Sequence, residues 1–192
     1  GGRPAFRSIA VTNDAAFVLT IASPAVLFRR DLDRAIWDSV YVNHNPAVFF
    51  DSMVFCDDQE GLAMGDATAE CLSVLITRDG GRQWNLLDCS ELPGVATAAS
   101  GQKEAAFAAS NGNLVVQDDE VWMASGGAAS RIFHSSDRGR NWAVANTPIV
   151  QGGAMTGMFS VARCRDDGHA GMAWGGNWEE MEDTSANKIV SN

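Results

Sequence analysis

The sequence predicts an all-β fold of repeated four-stranded antiparallel sheets, on three observations. The stretch Thr77 to Trp84, TRDGGRQW, recurs as SSDRGRNW from Ser135 to Trp142, and both fit Ser/Thr-x-Asp-x-Gly-x-x-Trp. Short apolar runs alternate along the whole chain with Gly-, Asn-, Asp- and Pro-containing breaks, the pattern of successive strands. The turn Asp57 to Gly61 recurs as Asp167 to Gly171, a shift of 110 positions, which is two repeats of about 55 residues each, within the range of blade-like units.

The chemistry of the repeated motif explains its residue types. An Asp side chain can accept backbone N–H groups just downstream and close the turn on itself, while Gly80, Gly81 and Gly139 supply the positive φ of a tight hairpin. Trp84 and Trp142 open the outgoing strand, where a ring can cover the hairpin and its indole N–H can find a carbonyl. Thr77, Asp79, Gly81 and Trp84, with Ser135, Asp137, Gly139 and Trp142, are therefore read as structural.

Taken in order, the first repeat (6–48) has strands in FRSIAV, AAFVLTIA, AVLF and SVYVN. Its turn RRDLDRAIW keeps Asp31 and Trp37 but lacks both glycines, so this hairpin must close differently. The second repeat (49–103) reads SMVFC, LAMG, LSVLI, the turn at Thr77, then NLLD. The third (104–156) reads EAAFAAS, a turn at Asn111-Gly112-Asn113, EVWMASGG, SRIFH, the turn at Ser135, then WAVAN, with an acidic excursion at Asp118 to Glu120. The fourth (157–192) is incomplete, because Ser191 falls where Thr77 and Ser135 stand. Four-stranded units of this kind are propeller blades. The expectation is a single β-propeller domain represented by about three and a half blades, truncated at both ends.

The two motifs resemble the Asp-box, or bacterial neuraminidase repeat, of sialidase-like β-propellers. FFDSMVFCDDQEGLAMGD (Phe49 to Asp66), SSDRGRNWAVANTPI (Ser135 to Ile149) and GMFSVARCRDDGHAGMAWGG (Gly157 to Gly176) are similar to the photosystem II stability and assembly factors and their bacterial relatives. That resemblance implies a closed ring of about seven blades, protein partners, a membrane complex among them, and a periplasmic or secreted location.

Composition narrows the partner classes. The net charge is −10 with only 14 Lys+Arg, which disfavours nucleic acid and anionic membranes. No apolar run approaches the roughly 18 residues of a membrane span. Cys56, Cys71, Cys89 and Cys164 show no C-x-x-C spacing, so no zinc site is expected. The even count permits two disulfides, and the pair flanking one hairpin, Cys71 and Cys89, is the first candidate bridge.

In a four-stranded meander the first and third connections share one side, so the Asp-containing turns lie beside Asp57–Gly61. The opposite face carries the loops Gly65 to Glu70, Gly126 to Arg131 and Gly175 to Asp183, with the interblade crossings around His44 to Asp51, Ser90 to Ser100 and Pro148 to Thr156. Loops on a rigid scaffold are the usual recognition sites, and the candidate binding residues there are Asp51, Asp66, Arg131, Trp178 and Glu179. The acidic run beside Trp178 lacks the D-x-D-x-D-G calcium pattern, and no metal or cofactor is expected.

No catalytic residue is assigned. G-x-S-x-G, P-loop and G-x-G-x-x-G signatures are absent, and His44, His134 and His169 share no spacing. The sequence therefore points to a non-catalytic scaffold for protein binding or complex assembly. The alternative is a sialidase-like glycan-binding or glycan-hydrolysing propeller. It would need an arginine cluster and an acid–base pair from further blades, since Tyr41 is the single tyrosine and Arg131 stands alone on the binding face.

Overall fold

The computed structural model describes residues 4–107, 111–164 and 170–191. Sixteen strands and their turns make up these residues. The first sheet is the meander β1 (Phe6–Val11), β2 (Ala15–Thr20), β3 (Ala25–Asp31) and β4 (Asp38–Asn43). The second is β5 (Phe50–Phe55), β6 (Gly61–Ala67), β7 (Leu72–Thr77) and the short β8 (Asn85–Leu86). Both run in sequence order with antiparallel neighbours, so each is one propeller blade.

The third sheet departs from the sequence reading. Its inner strand is split into β9 (Glu104–Ala106) and β10 (Leu114–Gln117), and both pair with β11 (Glu120–Gly127). The inner hairpin closes at Asp118-Asp119, where Gln117 faces Glu120, rather than at Asn111-Gly112-Asn113. Asn111 instead ties this segment to the first sheet: at φ 48° its side chain accepts the Ser8 hydroxyl at 2.6 Å and donates to the Ile9 carbonyl at 3.2 Å. Asn tolerates that left-handed conformation better than most residues do. The sheet continues through β12 (Arg131–Ser135) to β13 (Ala143–Asn146).

The fourth sheet has three strands among the described residues, β14 (Thr156–Arg163), β15 (Gly171–Asn177) and β16 (Lys188–Ser191). It joins the third through one bridge, Gly126 to Gly157. A Cβ on Gly126 would lie 2.7 Å from the Gly157 Cα, so only paired glycines allow these backbones to touch. The turn expected at Asp167 to Gly171 lies largely outside the described residues.

Burial shows how the sheets stack. In β2 and β3 buried positions alternate, whereas β6 and β7 are buried on both faces, as strands sandwiched between two other sheets must be. Three apolar layers result. Phe17, Leu19, Leu27, Phe50, Leu75 and Trp84 lie between the first and second sheets. Leu62, Met64, Ile76, Leu114, Met123 and Phe133 lie between the second and third. Trp122, Ala124, Met158, Val161 and Ala173 lie between the third and fourth. The outer strands β8 and β13 are exposed.

Cys71 and Cys89 form a disulfide that ties the start of β7 to the loop after β8, across a sequence separation of 18. Cys56 is half-buried and Cys164 exposed, and both are thiols. Burial pushes the Cys56 thiol up to about 11. A thiol reagent at pH 8 is therefore expected to label Cys164 rapidly and Cys56 only slowly until denaturant is added. Equal rates in the folded protein would contradict this packing.

Two glycines test the stacking itself. Gly81 sits at φ 72° with its Cα against the buried ring of Phe17, whereas Gly101, at φ 85°, has open space around it. Gly81→Ala is expected to cost about 2–4 kcal/mol, from backbone strain plus overlap with that ring, and Gly101→Ala about 1 kcal/mol from backbone strain alone. Urea unfolding of the two variants measures the difference.

Candidate functional site

The two repeated turns adopt the same hydrogen-bonding scheme. Thr77 donates its hydroxyl to Asp79 at 3.0 Å and accepts the Gly81 N–H at 3.0 Å. Asp79 Oδ1 accepts the N–H groups of Arg82 and Gln83, each at 3.0 Å. In the second copy Ser135 donates to Asp137 at 2.8 Å and accepts from Gly139 at 2.8 Å, while Asp137 accepts from Arg140 and Asn141 at 3.0 and 2.8 Å. The carboxylate thus reaches three and four residues onward.

Each tryptophan locks its own turn. Trp84 donates its indole N–H to the Gly81 carbonyl at 3.2 Å, and Trp142 to that of Gly139 at 3.1 Å. Trp84 also meets Phe17 and Phe55 edge-on, at 6.4 and 5.7 Å between centroids. In both copies the glycine lies on the preceding sheet: Gly81 against Phe17, and Gly139 close enough that a Cβ would fall 2.7 Å from Leu62. The degenerate first turn closes differently: the Arg34 N–H donates to the Asp31 carbonyl at 3.0 Å, and the Arg34 guanidinium reaches the Asp31 and Asp38 carboxylates at 3.4 and 3.8 Å. Arg29 contacts Asp31 and donates to the Gly80 carbonyl at 2.9 Å, and its hydrogen bond holds the Asp31 carboxyl below the usual range.

These turns share a face with the β5–β6 turn. The Gly80 N–H donates to the Gln59 carbonyl at 2.9 Å. Glu60 receives Arg78 and Arg138 at 3.3 Å each and Arg140 at 2.5 Å. Arg138 also contacts Asp57 and reaches Asp119 at 2.6 Å. This belt of guanidinium and carboxylate groups, spanning two sheets, surrounds a shallow hollow of about 400 Å³. The sequence placed the Asp57–Gly61 turn beside these turns but did not single out Arg78, Arg138 and Arg140. The available signal was the arginines at variable positions of both turns, opposite an acidic turn of fixed spacing.

The opposite face holds the residues proposed for binding, and the structure separates them. Asp51 is buried in β5. Asp66 accepts the Ala106 N–H at 2.9 Å, and burial raises its pKa. Arg131 is not alone: its Nε donates to both oxygens of the fully buried Glu104 at 3.0 and 3.1 Å, and its terminal nitrogen to the Gly94 carbonyl at 2.7 Å. Glu104 also accepts the Ala96 N–H at 2.8 Å and the Ser125 hydroxyl. This is a fully bonded buried carboxylate, the condition under which a buried charge is tolerated.

Trp178 and Glu179 are surface residues. Trp178 is 58% exposed, with Met181 at 75%, although its N–H donates to the Met155 carbonyl at 2.9 Å and its ring edge meets Phe159 at 6.3 Å. The Glu179 N–H is held by Asn177 at 3.0 Å. Tyr41 packs edge-on against Phe50 at 6.3 Å, and its hydroxyl accepts from Asn43 at 3.1 Å, so its burial belongs to the core. His134 stacks on Trp122 at 5.1 Å; His169 lies outside the described residues. Among the described residues no three His, Cys, Asp or Glu side chains converge as a metal-ligand set, and no helix is long and apolar enough to cross a membrane.

One further feature was not anticipated. A cleft of about 250 Å³ opens between the third and fourth sheets, lined by Trp122, Ile132, Ala145, Val161, Met172 and Ile189. The Arg163 guanidinium lies over the Trp122 ring at 4.2 Å from its centroid.

No family model and no curated protein matches the chain. Among solved structures, it is similar to one described as YCF48 bound to D1 peptide, at 13% identity and a TM-score of 0.36, covering 89% of this chain and 60% of that one. It is also similar to YCF48 from Cyanidioschyzon merolae, at 10% identity and a TM-score of 0.23, covering 91% of this chain and 94% of that one. The chain thus spans 60% of the length of the first of these structures.

The turn carboxylates set an acid dependence. The Asn141 side-chain amide, together with the turn N–H groups and the Ser135 hydroxyl, holds Asp137 down at about 2 despite some burial. Its folded pKa lies below the unfolded value, so its contribution is complete above about pH 4 and is lost as pH falls through about 2. Asp137→Asn is expected to lower stability at pH 7 by about 1 kcal/mol and to flatten the stability profile between pH 4 and 2. Denaturant melts across that range decide it.

Proposed function

We propose that this chain is a non-catalytic β-propeller scaffold of the Asp-box type, which binds a protein partner in complex assembly. The observation that carries this reading is the Trp178–Asp183 loop. It places an exposed aromatic and an exposed methionine among Glu179, Glu180, Glu182 and Asp183, and it is braced by backbone bonds from Glu180 to Asn177 and from Asp183 to Glu180. A large amphipathic anchor on a rigid loop is the composition of a protein-binding hot spot, and the carboxylates favour a partner segment with Lys or Arg beside an apolar residue.

The charged groups of the same face support a binding role over catalysis. Arg131, Glu104 and Asp66 are each engaged by internal hydrogen bonds that hold loops and strands together. Catalytic acids and bases instead face an open cleft where substrate can reach them.

Location and partner class complete the proposal. The Cys71–Cys89 disulfide supports an oxidising compartment outside the cytoplasm, in line with the resemblance to exported assembly factors. On that resemblance the partner is a subunit of a membrane complex.

A displayed peptide library panned on the intact chain tests this reading. Enriched peptides are expected to carry basic residues around an apolar anchor, and Trp178→Ala is expected to weaken them about tenfold or more. Glycan binding without peptide enrichment, or peptides indifferent to Trp178→Ala, would overturn it.

A further inference from the structure

The Trp178–Asp183 loop is continued by two more aromatic rings. Trp178 meets the Phe159 ring edge-on at 6.3 Å between centroids, and Phe159 meets Phe107 edge-on at 5.8 Å. Phe159 belongs to β14 and Phe107 follows β9, so the three rings form a ladder from the fourth sheet onto the third. Both phenylalanines are half-buried, and neither belongs to any of the three apolar layers between the sheets.

The backbone beneath the ladder is glycine. A Cβ on Gly126 would fall 2.5 Å from the Phe107 ring, and one on Gly176 3.9 Å from the Phe159 ring. Gly126 faces Gly157, and Gly157 faces Gly176. The rings therefore lie directly on main chain, supported from below, and each keeps part of its surface in solvent.

The fold does not ask for an aromatic side chain at Phe159. It occupies the bulge of β14 between Met158 and Ser160, and the matching bulge of β5, between Phe50 and Ser52, carries Asp51, which is 2% exposed. A bulge re-aims its extra side chain. In β5 that side chain is a carboxylate kept in the interior, whereas in β14 it is a ring set beside the exposed Trp178.

We infer that Phe107, Phe159 and Trp178 form a docking strip for an extended peptide segment with apolar residues at alternate positions and Lys or Arg at one end. The inference rests on the reading of the Trp178–Asp183 loop as a protein-binding site, and gives that site its length and selectivity. Spacing sets the conformation of the occupant. Rungs of 6.3 and 5.8 Å both exceed the pitch of about 5.4 Å at which a helix returns to one face. They approach the roughly 6.6 Å between same-side residues of an extended chain. Charge sets its direction: the loop carries Glu179, Glu180, Glu182 and Asp183 and no Lys or Arg, so the cationic end lies over it and the apolar residues run from Trp178 toward Phe107.

The test uses the intact chain and fluorescein-labelled peptides made of Lys-Lys next to six positions, each Leu or Thr, with the lysines at either end. Counting from the lysines, anisotropy is expected to rank Leu at the first, third and fifth positions highest. The fifth-position Leu is expected to improve Kd about fivefold or more over Thr. In Phe107→Ala the same exchange is expected to change Kd by less than about twofold, while the peptide with Leu at the first position alone binds as it does to the unaltered chain. Phe159→Asn, close in shape to the Asp51 of the matching bulge, is expected to remove the gain from the third-position Leu and gives a second reading if Phe107→Ala does not fold.

A ranking by total Leu count, a preference for Leu at three- or four-residue spacing, or an undiminished fifth-position gain in Phe107→Ala overturns the inference and leaves the loop as a binding site. Failure of every peptide to bind, the single-Leu peptide included, overturns the reading of the loop together with it.

Discussion

The contact on which the arrangement depends is the seating of a glycine–tryptophan turn on the sheet before it. A four-stranded meander alone has two apolar faces and cannot bury either by itself. The turns at Thr77 and Ser135 bridge that gap: their carboxylates satisfy the turn's own N–H groups, which frees the outer face of each turn to be apolar and flat. Gly81 on Phe17 and Gly139 on Leu62 then set the spacing between sheets, and the tryptophans fill what remains of each layer.

The charged residues divide according to the same geometry. On the face with the turns, Arg78, Arg138 and Arg140 converge on Glu60, so ion pairs reinforce between sheets what the apolar layers hold from within. They are partly exposed, and their individual worth is small, but a network of this size is more than isolated pairs. On the other face the Glu104–Arg131 pair is buried and multiply bonded, and it pins β9 to β12 across the third sheet. Removing either partner would strand a charge in the interior. The Trp178–Asp183 loop, by contrast, leaves Trp178 and Met181 exposed to solvent.

The all-β class, the sheet order and the places of most strands were legible in the sequence. Each rests on local signals: period-two burial in β2 and β3, turn residues between runs, and a motif whose hydrogen bonds lie within eight residues. The Cys71–Cys89 bridge was legible for the same reason, since both cysteines flank one hairpin. The split inner strand of the third sheet was not. Asn111-Gly112-Asn113 has the composition of a hairpin turn, but Asn111 spends its side chain on Ser8 and Ile9, a contact across 103 and 102 positions that no local pattern announces.

Sequence alone determined what each segment can do with its own backbone: which runs extend, which turns close themselves, and which residues need positive φ. Tertiary structure decided which polar side chains are available. Arg131 looked solitary because Glu104 is 27 positions away in the chain, and Asp66 looked free because the N–H it accepts belongs to Ala106, 40 positions on. Whether a charge meets solvent or a partner depends on which strands are brought together. That pairing is a property of the stacked sheets, and no single strand carries it.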